Sequence, residues 1–268
     1  MAGRIGFVEL PPFTAREIPG ASRRRLWVRG GLPLSCLARS AGESRQWRRD
    51  YIATLLERDI AGLGFRIPPA AMRRFWTMLA HYHGQIFNAS EIGKSLGLSD
   101  DTMRRYLDIL TGACMIRQLS PWFENLGKRQ VKSPKIYFRD SGLFHALIGV
   151  WDETALSRHP KMGVSWEGWV LEELIRAHGA APEESYFWAT HNEAELDLMI
   201  TGDGRRVGYE IKYADAPRLT PSMRIARRDL KLDELFVVFP GNQKFPLGNG
   251  ATAIGFDEIL KLIPGFPR

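Results

Sequence analysis

Apolar side chains recur at three- and four-residue spacing in several stretches of the chain, which predicts helices that each bury one face. One such helix begins near Glu43 and carries Trp47 and Tyr51. A clearer series follows Pro68-Pro69, where proline favours the first turn of a helix, and Gly84 ends it. Its apolar members are Met72, Phe75, Trp76, Leu79 and Tyr82.

Two further helices are predicted after this one, with a glycine between them. Ser90 is placed to cap the first, and Gly97 makes the tight turn that follows. Ser99 caps the next helix, with Asp100 and Asp101 at its positive end. Helix, short helix, turn and helix is the helix-turn-helix arrangement, in which the last helix takes the recognition position.

Two extended stretches, CMIRQLSPWF and SPKIYFRD, predict a hairpin that would make this helix-turn-helix winged. Basic side chains on the wing and on the third helix can neutralise phosphates, but winged helices also serve as spacer or interaction modules. For the arginines of the first helix, Arg45, Arg48 and Arg49, a solvated face and a phosphate contact both stay open. The candidate nucleic-acid contacts are Arg104, Arg105, Lys128, Arg129, Lys132 and Lys135.

The letters Gly93-Lys94-Ser95 match the end of a phosphate-binding P-loop, but their context does not. A P-loop requires a glycine five positions earlier and a preceding buried strand. That earlier position is Asn88, and the apolar pattern places the three residues within the short helix. The sequence contains no other Walker-type loop, so we do not expect this chain alone to hydrolyse ATP.

From about Gly163 onward the pattern changes to one long helix followed by strands. The stretch VSWEGWVLEELIRAHG predicts the helix, and Glu167 lies beside its apolar stripe. The stretches SYFWAT, AELDLMI, RRVGYEIKYA and LDELFVVFP predict strands, and TGDG joins the second to the third as a tight turn. PSMRIARRDLKL predicts a helix before the last strand.

The hairpin brings several charged residues together. Folding it about its turn places Asp197 opposite residues 209–210. Alternate residues of a strand share a face, so Glu195 projects with Asp197, and Glu210 projects with Lys212. Two acidic groups and a lysine are therefore expected to meet.

Such a set suits metal-assisted hydrolysis, because magnesium is held by one or two carboxylates plus water and an ammonium can position the attacking water. Asp197, then Glu210-x-Lys212, with Glu167 on the preceding helix, resembles the PD-(D/E)xK restriction-endonuclease-like fold. The resemblance implies that Asp197 and Glu210 bind Mg²⁺, that Lys212 assists hydrolysis and that Glu167 is the helix acid. On spacing alone, E-x-K is more often a cross-strand salt bridge.

A wider set of stretches resembles the domain of unknown function 4143 (DUF4143). These stretches are GGLPL, YIATLLERDI, the helix-turn-helix, LGKRQVKSPKIYFRDSGL, WEGWVLEELI, ELDLMI and YEIKY, and they span Gly30 to Tyr213. The resemblance implies the C-terminal half of a prokaryotic AAA-type ATPase, with a winged helix before a nuclease-like module. The opening AGRIGFVELPPFTAREI resembles the end of that ATPase, so a separate P-loop ATPase subunit is an expected partner.

Composition favours an anionic partner. The 268 residues carry a formal charge of +7, which suits DNA without requiring it. Cys36 and Cys114 lie far apart without metal-ligand spacing, so neither a disulfide framework nor a zinc site is predicted. No apolar run is long enough to span a membrane and no signal peptide is evident, so we expect a cytoplasmic protein with no membrane partner.

These observations predict an α+β and α/β multidomain chain. Its expected parts are an ATPase remnant and linker helix (1–64), a winged helix-turn-helix (65–152) and a PD-(D/E)xK nuclease-like α/β domain (153–268). The predicted function is a nucleic-acid-binding module with a candidate Mg²⁺-dependent nuclease site. A non-catalytic interaction or regulatory module of a split or truncated ATPase is the alternative, and a winged-helix transcription regulator is the third reading.

Overall fold

The computed structural model describes residues 9–65, 67–123, 132–190 and 194–263. Helices dominate the N-terminal half of this part of the chain, and strands dominate the C-terminal half. A π-helical turn, Leu55–Asp59, connects α3 to α4. The helices are α1 (Arg23–Arg29), α2 (Pro33–Cys36), α3 (Ala41–Thr54), α4 (Ile60–Gly62), α5 (Pro69–His81), α6 (Ala89–Leu96), α7 (Asp100–Gly112), α8 (Ser141–Leu147), α9 (Glu153–Ser157), α10 (Met162–His178), α11 (Pro221–Asp229) and α12 (Phe256–Leu262).

Nine strands of the described residues form a single mixed sheet in the order β1-β3-β2-β4-β5-β6-β7-β9-β8. The hairpin β2–β3 joins the C-terminal strands because β2 runs parallel to β4. The sheet therefore continues from the helical half of the chain into the strand-rich half. The strands are β1 (Gln85–Ile86), β2 (Ile116–Pro121), β3 (Lys135–Phe138), β4 (Ser185–Ala189), β5 (Glu195–Gly202), β6 (Arg205–Ile211), β7 (Glu234–Phe239), β8 (Lys244–Gly248) and β9 (Ala251–Gly255).

Helices cover both faces of the C-terminal part of the sheet. Phe236 and Val238 of β7 belong to the apolar core that contains the buried side chains of α10. The alternate residues Leu235 and Val237 belong to a second core, on the side of α11. Because successive strand residues point to opposite faces, β7 is buried on both sides, as its continuous apolar run LFVVF requires.

The helix ends show which local signals were predicted correctly. The Ser99 hydroxyl accepts a hydrogen bond from the Thr102 N–H at the start of α7, and Gly97 is left-handed at the end of α6, both as predicted. The predicted Ser90 cap is wrong, because the Asn88 side chain caps α6 and Ser90 lies inside the helix. Residues 93–95 are helical within α6, which confirms that they do not form a P-loop.

The N-terminal segment is held against the rest of the molecule by Asp140. Its carboxylate caps α8 through the Leu143 N–H and also accepts a hydrogen bond from the Gly31 N–H, both at 2.8 Å. The backbone at Gly142 approaches α1 so closely that a Cβ there would lie 2.0 Å from the Arg29 carbonyl oxygen. Only glycine fits this contact, so the order DSG after β3 is a packing requirement.

The two predicted hairpins are present. Strands β2 and β3 pair antiparallel, and the part of their connection that carries Lys128 and Arg129 lies outside the described residues. Strands β5 and β6 are joined through Asp203 and Gly204, which both have positive φ, as a tight hairpin turn requires. None of the helices in the described ranges is long and apolar enough to cross a membrane.

Candidate active site

The candidate site lies where β5 and β6 stop pairing. Their last paired residues are Leu198 and Tyr209, and Asp197 comes directly before that point on β5. The Asp197 Oδ2 accepts a hydrogen bond of 2.8 Å from the Ile211 N–H, so a side chain takes the place of a backbone carbonyl. The strands therefore separate here without leaving that N–H unpaired.

Glu210 and Lys212 complete the cluster that the hairpin register predicts. The Lys212 Nζ lies 2.7 Å from Glu210 Oε1 and 4.0 Å from Asp197 Oδ2. The Lys212 side chain is 44% exposed, whereas the side chains of Asp197 and Glu210 are only 6% and 9% exposed. The Lys212 ammonium thus lies between two buried carboxylates and the solvent. Burial lowers the pKa of Lys212, but the nearby carboxylates raise it more, so the net shift is upward.

Helix α10 supplies Glu167, as predicted. Its Oε1 accepts a hydrogen bond of 2.6 Å from the Tyr137 hydroxyl. Burial and the charge of Asp197 raise the pKa of Glu167 to about 7, although Lys135, Tyr137 and Lys212 oppose the increase. An acid with a pKa near neutrality can give and take protons under physiological conditions.

The pKa of Glu210 is raised further than that of Glu167. Burial, followed by the charge of Asp197, raises the pKa of Glu210 to about 8, against the opposing effect of Lys212. Its Oε2 is buried and has no hydrogen-bond partner in the described part of the chain. The site therefore holds more negative charge than its neighbouring lysines neutralise well.

Lys135, just beyond the wing tip, was predicted to contact nucleic acid, but its burial contradicts this prediction. Its side chain is 6% exposed and forms an ion pair with Glu195, because β3 lies inside the sheet instead of projecting from it. Burial favours the neutral amine, but Glu167, Asp197 and Glu195 together raise the pKa of Lys135. Lys135 is a buried cation beside the candidate site.

Tyr137 is a contact of the site that sequence reasoning missed. It lies two residues after Lys135 on β3, so the period of a strand places both side chains on one face. That signal was present in the letters KIY. What the sequence did not show was that this face meets Glu167 and Glu195 from a later part of the chain.

The donor set is compatible with magnesium. Among the described residues, no group of three or more His, Cys, Asp and Glu side chains is arranged to hold a metal. Mg²⁺ typically keeps several waters and takes only one or two carboxylates. Asp197 and Glu210 supply such a pair, and the unpartnered Glu210 Oε2 is the kind of oxygen that an added cation would satisfy.

The remaining predicted nucleic-acid contacts are only partly described. Arg104 and Arg105 are exposed on α7, and Lys132 is exposed before β3. Lys128 and Arg129 lie outside the described residues. The candidate surface on α7 therefore has two accessible guanidinium groups.

Comparisons with known proteins match two parts of the chain to two family models. Residues 21–154, half of the chain, match Domain of unknown function (DUF8612). Residues 162–259 match Domain of unknown function (DUF4143). The predicted DUF4143 resemblance is therefore confirmed for the C-terminal part, whereas the preceding part matches a different family model.

Two curated mycobacterial relatives resemble nearly the whole chain. They are the uncharacterized protein Rv2008c of Mycobacterium tuberculosis and the uncharacterized protein Mb2031c of Mycobacterium bovis. Each is 53% identical over 260 residues, which cover 97% of this chain and 58% of the relative. The chain thus spans little more than half the length of these proteins.

No solved structure matches the chain. The family is shown by the DUF8612 match, which covers half of the sequence and ends before the helix that carries Glu167. The chain belongs to the DUF8612 family, and its following part, residues 162–259, which contains Glu167, Asp197, Glu210 and Lys212, matches DUF4143.

Proposed function

We propose that this chain is a nucleic-acid-binding module with a Mg²⁺-dependent nuclease site of the PD-(D/E)xK type. The observation that carries the proposal is the meeting of Asp197, Glu210 and Lys212 at the separating ends of β5 and β6. A buried carboxylate oxygen without a partner adds to it. Neither feature improves the packing of a core, since the burial of ionisable groups costs free energy.

The proposed chemistry assigns a task to each side chain. Asp197 and Glu210 would hold Mg²⁺, which when bound supplies a Lewis acid for phosphodiester hydrolysis. Lys212 is the most exposed of the cluster, so its ammonium reaches a phosphate oxygen or the attacking water. Tyr137 orients Glu167 by donating to its Oε1, which leaves the other oxygen of Glu167 free to exchange a proton.

The helical half is proposed to be a winged helix-turn-helix. Helices α5, α6 and α7 with the β2–β3 hairpin have the required order, and exposed Arg104 and Arg105 lie on α7. The curated relatives extend beyond the matched region. We propose that this additional part, or a separate subunit, provides the P-loop ATPase that the family resemblance implies.

A cleavage assay tests the nuclease proposal. Single-stranded, duplex and branched DNA are incubated with the purified chain and Mg²⁺ or Mn²⁺, beside Asp197→Ala and Lys212→Ala. Glu258→Ala serves as a control, because it removes an acid that pairs with the exposed Lys261 on α12. Metal-dependent cleavage that is lost in both site variants and retained in the control supports the proposal, whereas an inert wild type contradicts it.

A non-catalytic interaction module is the second candidate. It is favoured by the 2.7 Å contact between Lys212 and Glu210, which resembles a structural ion pair. In that case Lys212→Ala leaves a buried acid without its partner and lowers the free energy of unfolding. Urea unfolding of the same variants therefore separates the two functions: a stability loss without any wild-type cleavage favours the interaction module.

A further inference from the structure

A basic cleft lies between α3, α5 and the end of α8 with the segment that follows it, and the residues that line it are different from those of the candidate active site. Its volume is about 630 Å³. Three arginines line it: Arg45 and Arg49 from α3, and Arg73 from α5. We call it the arginine cleft.

The charge of the arginine cleft is not balanced by the protein. Within the described residues, none of its three arginines has a carboxylate oxygen within 4.0 Å, in contrast to Arg24, Arg58 and Arg205. Among the described residues that line the cleft, the one acid is Asp50, which accepts a hydrogen bond of 2.8 Å from the Gln46 amide. The cleft therefore has an excess of positive charge.

The arginines of α3 differ in burial. Arg48 is fully buried, and its guanidinium donates to backbone carbonyls that include those of Gly142 and Trp151. Arg45 is exposed, and its guanidinium carbon lies 4.8 Å from the centre of the Trp151 ring. The indole thus supports one face of the Arg45 guanidinium and leaves its N–H groups for a ligand.

This arrangement costs stability unless an anion binds. Arg45 and Arg49 are four residues apart on one helix, a spacing at which like charges repel each other. Arg73 adds a third positive charge from α5. Guanidinium groups bind phosphates through two parallel hydrogen bonds, so a run of phosphates is the ligand that complements the cleft.

We propose that the arginine cleft binds the phosphodiester backbone of nucleic acid. This inference rests on the proposed nucleic-acid-binding function and places a principal contact on α3 and α5, in addition to the predicted surface on α7. Trp151 is already covered by Arg45 and Arg48, so the cleft reads charge and not bases. Binding there is independent of sequence.

The test compares two variants with the same change in net charge. The cleft variant is Arg45→Gln, Arg49→Gln and Arg73→Gln; the control variant is Arg24→Gln, Arg58→Gln and Arg205→Gln, whose arginines are exposed and paired with acids. Circular dichroism and thermal unfolding establish that both are folded. Fluorescence anisotropy then measures the binding of labelled single-stranded and duplex oligonucleotides at several salt concentrations.

The expected result is at least about tenfold weaker binding by the cleft variant than by the control. Each lost phosphate contact should also reduce the slope of log affinity against log salt by about 0.7 for single strands or about 0.9 for duplex, so about 2 to 3 in all. Equal affinity and equal salt dependence in the two variants would refute the proposal that the arginine cleft binds nucleic acid, but would leave the proposed function intact. A wild type that binds neither oligonucleotide would overturn both.

Discussion

Replacement of Glu172 by glutamine tests how α10 is held against the β2–β3 hairpin, and therefore how Glu167 is positioned beside Tyr137. Glu172 is 2% exposed and lies among three arginines. Arg117 donates to both of its oxygens, and the guanidinium groups of Arg139 and Arg176 lie 3.6 Å and 3.5 Å from Oε2. Arg117 lies on β2, Arg139 directly follows β3, and Arg176 lies on α10 itself.

The magnitude follows from the pKa of Glu172. Burial alone would raise it, but Arg117, Arg176 and Arg139 lower it from an ordinary value of 4.5 to about 2. At about 1.4 kcal/mol per pKa unit, this difference corresponds to about 3 kcal/mol of stability at neutral pH. Loss of one partner of a buried ion pair costs a similar amount, about 3–5 kcal/mol.

Urea unfolding at neutral pH is the assay, with Glu258→Gln as the control. Glu258 pairs with Lys261 on the surface, so its replacement should cost no more than about 1 kcal/mol. The contribution of Glu172 is complete above its ordinary pKa and is lost as the pH falls toward 2, so the difference between wild type and Glu172→Gln should shrink in acid. A cost equal to that of the control, or one that does not change with pH, would refute the reasoning.

Three further predictions concern stability, and urea unfolding checks each. Lys135→Met should lower the free energy of unfolding by several kcal/mol, because it leaves the acids of a buried site without this cation. Glu195→Gln removes the exposed partner of the same ion pair and should cost about 1 kcal/mol or less, and equal costs for the two variants would contradict this prediction. Asn88→Ala should lower the free energy of unfolding by about 1 kcal/mol, because α6 loses its capping side chain. A larger cost for Ser90→Ala would instead indicate that Ser90 caps α6. Burial lowers the pKa of His145 from 6.5 to about 3, so the unfolded state takes up a proton in this range and the folded state does not. Stability should therefore fall as the pH drops from 6.5 toward 3. His145→Gln should make this fall smaller, and a variant with the same pH profile as the wild type would show that His145 does not cause it.

Several parts of the fold could be predicted because their causes are local. The turn at Asp203-Gly204 needs two positive φ angles, and residue identity alone indicates where these are tolerated. Once that turn is placed, strand period brings Asp197, Glu210 and Lys212 together. The wrong cap at Ser90 shows the limit of such reasoning, since Asn88 is an equally good capping residue two positions earlier.

What the sequence by itself determined is therefore the pattern within each element: the helices, the hairpins and the three residues that meet across one hairpin. Only the tertiary structure decided that β2 pairs with β4, which carries β3 into the sheet and buries Lys135 beside Glu195. The separation of Arg48 from Arg45 and Arg49, one buried and two lining the cleft, was likewise decided by packing against α8 and Trp151. Turn and strand periodicity depend on neighbours in the chain, whereas burial and ion pairing depend on which distant segments pack together, and no local pattern encodes that choice.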